Sequence, residues 1–487
     1  MSTESRPTAA HAHHIAAPLC TIIPPYLLQA LASSGDRDVA HQARATLRHD
    51  TVLRAERAMF GAGVRPAGPA SDRPPNGTAT APSMRIHDCR HTRTLPGKPV
   101  RGVGDPPTKD ITVTQAWDGL RATWDLWQTA YGRNSVDGKG LPLIGSVHYG
   151  KGYDNAFWNG AQMVFGDGDG QIFLSFTRSI DVIGHELAHG VTQYTAGLTY
   201  QGQSGALNES ISDVFGSLVK QRHLGQTATQ ADWLIGADLL APGVHGRALR
   251  DMANPGTAYD DPRLGRDPQP GHLRDYVTTD ADNGGVHINS GIPNRAFVLV
   301  ARALGGPAWE RAGRIWVDTI TGNIGADCDF ATFARLTVAA ATARYAAGSP
   351  EVAAVRAAWD AVGVSYAAAP RGGAAPAGRD GGDPAPGHRR VPGPGTEVTV
   401  RREGGFAGLV HERTVTLADL PHEDSAAWST LLAQPEALQV MSEEPSHPDA
   451  YCYGIACATP KIAVKIAEPG LPDATRALIE RALSDPD

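Results

Sequence analysis

DVIGHELAHGVTQYTAGLTYQGQSGALNESISD (residues 181–213) carries two histidines four positions apart, a glutamate beside the first, and another glutamate twenty positions beyond the second. In a helix, residues i and i+4 lie on one face. His185 and His189 therefore offer two imidazole nitrogens to one metal ion. Glu186 lies about 100° further round the helix, near the ion but off it. This is the H-E-x-x-H arrangement, and zinc, borderline-soft and content with nitrogen and oxygen, suits it. Glu209, in GALNESISD, supplies a third ligand from what should be the next helix. Two imidazoles and one carboxylate leave one position for water, the mark of a catalytic site. Asp213, four residues after Glu209 and on the same face, is placed to accept the other N–H of His185 and fix its tautomer, and Asn208 to do so for His189. A bare H-E-x-x-H also occurs on ordinary surface helices; the second motif, N-E-x-x-x-D at this distance, argues against that reading.

Working outward, the chain has 487 residues, too many for one typical core, so two to four units are expected. No apolar run reaches the length of a membrane span. A formal charge of −7 gives no basic patch for nucleic acid. The five cysteines (Cys20, Cys89, Cys328, Cys452 and Cys457) are scattered and odd in number, which fits a reducing compartment better than a disulfide framework. The first thirty residues lack a basic start followed by an uninterrupted apolar core, so no secretory signal is read and a cytoplasmic location is expected, with release by a signal-independent route left open. His11, His13 and His14 read as part of a disordered tail rather than a metal tract.

Composition divides the rest. Residues 18–60 have helical spacing, and 61–83 are rich in Pro, Gly, Ala and Ser, a flexible and cleavable linker. Residues 84–220 mix strands and helices and hold the HELAH helix, whereas 221–365 read as mostly helical. Two such lobes commonly frame a cleft. A second linker spans 366–395, and 396–487 alternate β-like and helical stretches as a small α+β domain.

The blocks YDNAFWNGAQMVFGDGDG (153–170), DVIGHELAHGVTQYTAGLTYQGQSGALNESISDVFGSLV (181–219), ALRDMANP (248–255) and DNGGVHINSGIPN (282–294) resemble the thermolysin-like zinc metallopeptidases. IPPYLL (23–28) and the short N-terminal segment resemble their protealysin-like branch, which would make 1–83 a propeptide plus processing linker. The resemblance implies an α+β, two-lobe peptidase with a mixed α/β N-lobe, an all-α C-lobe and one catalytic Zn2+ in the cleft. It implies Glu186 as general base, Tyr200 and His287 as donors to the oxyanion, and Asp282 as the group that orients His287. Arg250, Asn155 and the Ala156 carbonyl would hold the substrate main chain. Phe173, Phe176, Val182, Ile235 and Leu249 would line an apolar pocket, giving cleavage before bulky apolar residues.

The chain departs from the family at its double calcium site. Asp181 matches one ligand, but Lys220 and Ala237 stand where acids are expected. An ammonium cannot share a cation site, so Lys220 is expected to pair with Asp181 in place of calcium. VTVRREGGFAGLVHERTVTLADLP (398–421) resembles emfourin, a small inhibitor of protealysin-like enzymes. Fusion raises its local concentration, and the 29 residues of 367–395 span roughly 30 Å as a flexible coil, enough for docking over the cleft; a stability or partner-binding module is the alternative. Cys20 is expected to be a buried structural cysteine, although a propeptide thiolate could also fill the open zinc position. The reading is a latent, monomeric zinc endopeptidase with peptide and protein substrates, its own prosegment and inhibitor-like domain as internal partners, and neither nucleic acid nor membrane. The rival readings are an inactive peptidase scaffold acting as a regulatory protein, and an effector protease with one narrow target.

Overall fold

Pro24 and Pro25 set the first helix, because proline at the first helical positions loses no hydrogen bond and has its φ already in place. Helix α1 (Pro25–Ala32) follows. Asp36 then accepts from the backbone N–H groups of Asp38 and Val39 and starts α2 (Arg37–Phe60). The computed structural model describes residues 20–60, 81–367, 392–404, 409–442, 451–468 and 471–484. The histidine-rich tail and most of both expected linkers lie outside these.

The N-lobe is a sheet with one long helix on its face. Its strands are β1 (Met84–Asp88), β2 (Lys98–Gly102), β3 (Leu143–Val147), β4 (Ala156–Trp158) and β5 (Met163–Phe165), in the order β2-β1-β3-β5-β4. β1, β3 and β5 run parallel, with β2 and β4 as antiparallel edges. Thr21 makes an antiparallel bridge to Phe157, so the N-terminal segment extends the sheet past β4. Asp110 caps α3 (Ile111–Asp125) through the amides of Thr112 and Val113, and a π-turn over Leu126–Ala130 continues it.

Two helices form the floor of the cleft, α4 (Ile180–Gln193) and α5 (Gly202–Leu224), the latter ended by Gly225 in the left-handed conformation. They cross closely because Gly184 and Gly216 sit at the crossing. A Cβ on Gly216 would lie 2.4 Å from the Asp181 carbonyl oxygen and 3.0 Å from the His185 nitrogen. After α5 come two short ribbons, β6 (Leu234–Ile235) with β7 (Arg250–Asp251) and β8 (Asp260–Asp261) with β9 (Gly265–Arg266). These ribbons are too short for strand periodicity to reveal. The C-lobe continues with α6 (Asp282–Asn289), α7 (Gly291–Leu304), α8 (Ala312–Ile320), α9 (Phe330–Tyr345) and α10 (Pro350–Ala361). One hydrophobic core runs through both lobes and takes in Ile22, Ile23, Leu27, Leu28 and Leu31 of the N-terminal segment.

The C-terminal domain has its own core around Trp428, Leu431, Leu438, Ile455 and Ile479. Its sheet, in the order β11-β10-β12-β13, comprises β10 (Glu397–Gly404), β11 (Leu409–Thr416), β12 (Cys452–Cys457) and β13 (Ile462–Ala467), all antiparallel. Helices α11 (His422–Leu432), α12 (Pro435–Ser442) and α13 (Asp473–Leu483) cover it. The domain sits on α2, which touches α11, α12 and α13 and sends Val52 against the domain's core. The next residue, Leu53, packs instead on the N-lobe cluster of Cys89, Tyr149, Tyr153 and Phe157. Among the described residues the domain therefore rests on α2; the docking over the cleft that the linker length allowed is not what is observed. No helix among the described residues is long and apolar enough to cross a membrane.

Candidate active site

The close crossing of α4 and α5 brings the residues of the two motifs together. The Nε2 atoms of His185 and His189 lie 3.0 Å apart. Glu209 faces both, with Oε2 3.7 Å from His185 Nε2 and Oε1 3.5 Å from His189 Nε2. The far side of each ring is tied down. His185 Nδ1 donates to Asp213 Oδ1 at 2.8 Å, and His189 Nδ1 lies 2.9 Å from Asn208 Oδ1 and 3.0 Å from Ser212 Oγ. With the Nδ1 protons committed outward, both Nε2 lone pairs and the Glu209 carboxylate converge in a buried interior. Burial lowers the pKa of His189 to about 4, so its ring stays neutral and ligand-competent. Such a set of electron-pair donors repels itself unless a cation lies between its members. Glu209 Oε2 is buried with no hydrogen-bond partner among the described residues. Donor types, spacing and this orphaned oxygen all fit one zinc ion.

Around the trio stand the other groups drawn from the sequence. Glu186 is fully buried; its Oε2 accepts from the Trp158 amide at 3.1 Å, and its Oε1 has no partner among the described residues. Burial, then repulsion from Glu209, raise its pKa well above the ordinary carboxyl range in the absence of a cation. His287 Nε2 lies 3.2 Å from the Tyr200 hydroxyl, which in turn donates to Glu209. Asp282 accepts twice from His287, from Nδ1 at 2.6 Å and from the backbone amide at 2.9 Å. That double grip depends on four successive residues with positive φ, Asp282 to Gly285, which fold the carboxylate back onto the ring.

The N-terminal segment fills the rest of the cleft. The Ile22 amide donates to the Ala156 carbonyl at 3.2 Å, and Arg250 Nη1 donates to the Ile22 carbonyl at 3.4 Å. Asn155 takes the Ile23 amide on Oδ1 at 2.9 Å and gives Nδ2 to the Ile23 carbonyl at 3.3 Å. The groups expected to hold substrate main chain thus hold Ile22 and Ile23. Both side chains are fully buried, in the same core as Phe173, Phe176, Val182, Ile235 and Leu249. Cys20 is buried, as expected, but not as inert packing. Its Sγ lies 2.8 Å from the Tyr200 hydroxyl, 2.8 Å from Glu209 Oε1 and 3.7 Å from His287 Nε2, and it groups with His185, His189 and Glu209 as a fourth potential ligand.

Several contacts had no sequence signal. Arg250 is engaged less with the cleft than with Asp213, which it grips through Nε at 2.9 Å and Nη2 at 2.8 Å, while Asn294 donates to the same carboxylate at 2.8 Å. Asp50 of α2 accepts from Asn155 Nδ2 at 2.7 Å, so the N-terminal segment also positions the residue that binds it. Lys220 pairs with Asp181 at 3.3 Å, as expected, and also with Asp232 at 2.9 Å and the Leu234 carbonyl at 3.2 Å. Ala237 opens a short 3-10 turn.

Comparison with known proteins agrees with this geometry. Residues 106–193 match the model of the thermolysin metallopeptidase catalytic domain, 196–364 that of the thermolysin metallopeptidase alpha-helical domain, and 400–483 that of emfourin. The chain is 52% identical over 348 residues to an extracellular metalloprotease of Pectobacterium carotovorum subsp. carotovorum, covering 71% of this chain and 97% of that protein. It is 47% identical to the protease PrtS of Photorhabdus sp. (strain Az29) over 65% of this chain and 85% of the relative. The solved precursor of protealysin, a metalloproteinase from Serratia proteamaculans, superposes with a TM-score of 0.64 at 52% identity, covering 71% of this chain and all of the other. A protein whose two histidines and glutamate converge as these do, with these relatives across both lobes, is a member of the thermolysin family of zinc-dependent metallopeptidases, bearing an emfourin domain at its C-terminal end.

Proposed function

We propose that this chain is the latent form of a neutral endopeptidase that cuts before bulky apolar residues and is restrained by its N-terminal segment and its emfourin domain. The observation that carries this reading is the seating of Ile22 and Ile23 on Asn155, Ala156 and Arg250, with Cys20 beside the metal-ligand trio. A branched apolar pair held by main-chain hydrogen bonds in this cleft is the pose a substrate would take, and it supports an apolar preference after the cut. Zinc, when bound, supplies Lewis acidity, polarising the scissile carbonyl and lowering the pKa of water to about 7. Glu186 takes a proton from the attacking water at the oxygen left free by Trp158 and returns it to the leaving nitrogen. Tyr200 and His287 donate to the oxyanion; losing one such donor costs about 3 kcal/mol in the barrier. Asp282 keeps the His287 proton aimed at that position.

Latency has two layers in this reading. With zinc held by His185, His189 and Glu209, Cys20 would serve as the fourth donor, as a thiolate, and Ile22 and Ile23 exclude substrate. The emfourin domain acts on the prosegment by holding α2, which its described residues touch, against the N-lobe. Lys220 replaces calcium as the partner of Asp181. The test is Glu186→Gln in the full chain: zinc content is retained, processing of the prosegment stops, and casein hydrolysis is lost. Casein cleavage near the wild-type rate would refute the assignment of the base.

A further inference from the structure

A second metal-binding arrangement lies away from the cleft, where the parallel strands β1, β3 and β5 end at one edge of the sheet. A potential ligand follows each strand within three residues: His91 after β1, His148 after β3 and Asp167 after β5. His148 Nδ1 lies 2.9 Å from Asp167 Oδ1, and His91 Nδ1 lies 3.3 Å from Asp167 Oδ2. One ligand atom from each of the three residues falls within 4.8 Å of the other two. These spacings are like those of the catalytic trio, whose edges measure 3.0, 3.5 and 3.7 Å. The other nitrogen of His148 is already spoken for: Nε2 lies 2.9 Å from Asp110 Oδ2. A carboxylate on the far nitrogen of an imidazole is the usual device for orienting a metal-binding histidine. It is the same relation that Asp213 bears to His185.

Backbone geometry adds an independent observation. His91 and His148 both have left-handed φ values, +59° and +53°. Such a conformation costs a non-glycine residue roughly 1–3 kcal/mol and persists where surrounding structure imposes it. The His91 amide donates to the His148 carbonyl at 2.8 Å, so the two strained residues are fastened to each other. A protonated His148 bridging Asp110 and Asp167 would account for two carboxylates and one ring. His91, mostly exposed, turns a second imidazole nitrogen onto the same Asp167 carboxylate, which leaves three potential ligands facing one another at the surface.

We infer that His91, His148 and Asp167 bind a second borderline divalent ion, zinc or a close substitute such as cobalt or nickel, with water completing its sphere on the solvent side. The imidazole-rich donor set excludes calcium and magnesium as preferred occupants. Neighbouring residues Arg93, Gly150 and Gly168 line a pocket whose opposite wall is α2, from Asp38 to Thr46, so the ion would fasten three strand ends beside the prosegment.

The experiment is zinc titration of the full-length latent chain, followed by elemental analysis and by melting temperature. Two zinc ions per wild-type chain are expected. His91→Asn keeps a residue that tolerates the left-handed backbone and is expected to bind one. Asp110→Asn is expected to weaken the second equivalent roughly 10–100-fold. Zinc beyond the first equivalent should raise the melting temperature of wild type but not of His91→Asn. Dipeptide hydrolysis after maturation should be equal in both. One zinc per chain in wild type, or a second equivalent that binds His91→Asn as tightly as wild type, would overturn the inference while leaving the catalytic site intact.

Discussion

Replacing Cys20 by alanine separates the latch on the metal site from the bulk of the prosegment interface. Five apolar side chains near it (Ile22, Ile23, Leu27, Leu28 and Leu31) are fully buried, and at about 1.5–3 kcal/mol each they contribute on the order of 7–15 kcal/mol. The sulfur contributes far less. A bond to a charged partner in such a site is worth about 1.5–3 kcal/mol. Cys20→Ala should therefore leave the prosegment docked and the fold intact, but let the segment around Thr21 fray more often. At about 1.4 kcal/mol per factor of ten, the frayed fraction rises roughly 10–150-fold, and self-processing should accelerate by a similar factor. The assay follows loss of the intact chain by mass spectrometry beside the lag in hydrolysis of a furylacryloyl dipeptide. Cys20→Ser should fall between the two. In the absence of a cation, burial and then the Glu209 and Glu186 carboxylates raise the thiol pKa well above its usual value. Removing zinc should therefore make Cys20 a neutral thiol and narrow the difference between variant and wild type in prosegment affinity to that of its hydrogen bonds to Tyr200 and Glu209. A processing time course of Cys20→Ala that superimposes on wild type at equal zinc content would refute the thiolate latch.

Three further expectations follow from the packing. Gly216→Ala sets a Cβ against the Asp181 carbonyl oxygen; it should cost about 1–3 kcal/mol, lower the melting temperature by several degrees and reduce zinc retention, and an unchanged melting curve would contradict the close-crossing argument. Calcium should not raise the melting temperature of wild type, whereas Lys220→Met, which strands the buried Asp181 carboxylate, should destabilise by about 3–5 kcal/mol in chemical denaturation; a large calcium-dependent rise in wild type would remove the substitution idea. Val52→Asp drives a charge into the contact between α2 and the C-terminal domain. It should enlarge the radius of gyration in small-angle scattering and speed prosegment processing, and unchanged processing after demonstrated undocking would show that the domain does not restrain the prosegment.

The metal trio was legible in the sequence because its parts are local: i and i+4 on one helix, and a second motif on the next. Asp213 and Asn208 were legible for the same reason, since helical spacing fixed their direction. Arg250 was read through its block, but its grip on Asp213 depends on the β6–β7 ribbon, two residues per strand, which leaves no periodicity to read. Asp50 was invisible: a lone acid in a charged helix gives no hint that it will be fully buried against Asn155. Cys20 lay between these cases. Its neighbours IIPPYLL marked a prosegment, but only the bridge from Thr21 to Phe157 sets the register that carries the sulfur to the zinc ligands. The position of the C-terminal domain depends on α2, and a helix with charges on most faces does not announce which side will carry a partner.

Because α2 is gripped by the N-lobe through Leu53 and by the C-terminal domain through Val52, segments more than three hundred residues apart in sequence meet on one helix. Contacts between residues so distant in sequence form late, since closing so long a loop must precede any gain from it. During synthesis, the catalytic lobes can therefore be shielded by the N-terminal segment before the second brace exists. A chain cut back before residue 396 should therefore keep the contact of Leu53 with the N-lobe and lose that of Val52 with the C-terminal domain.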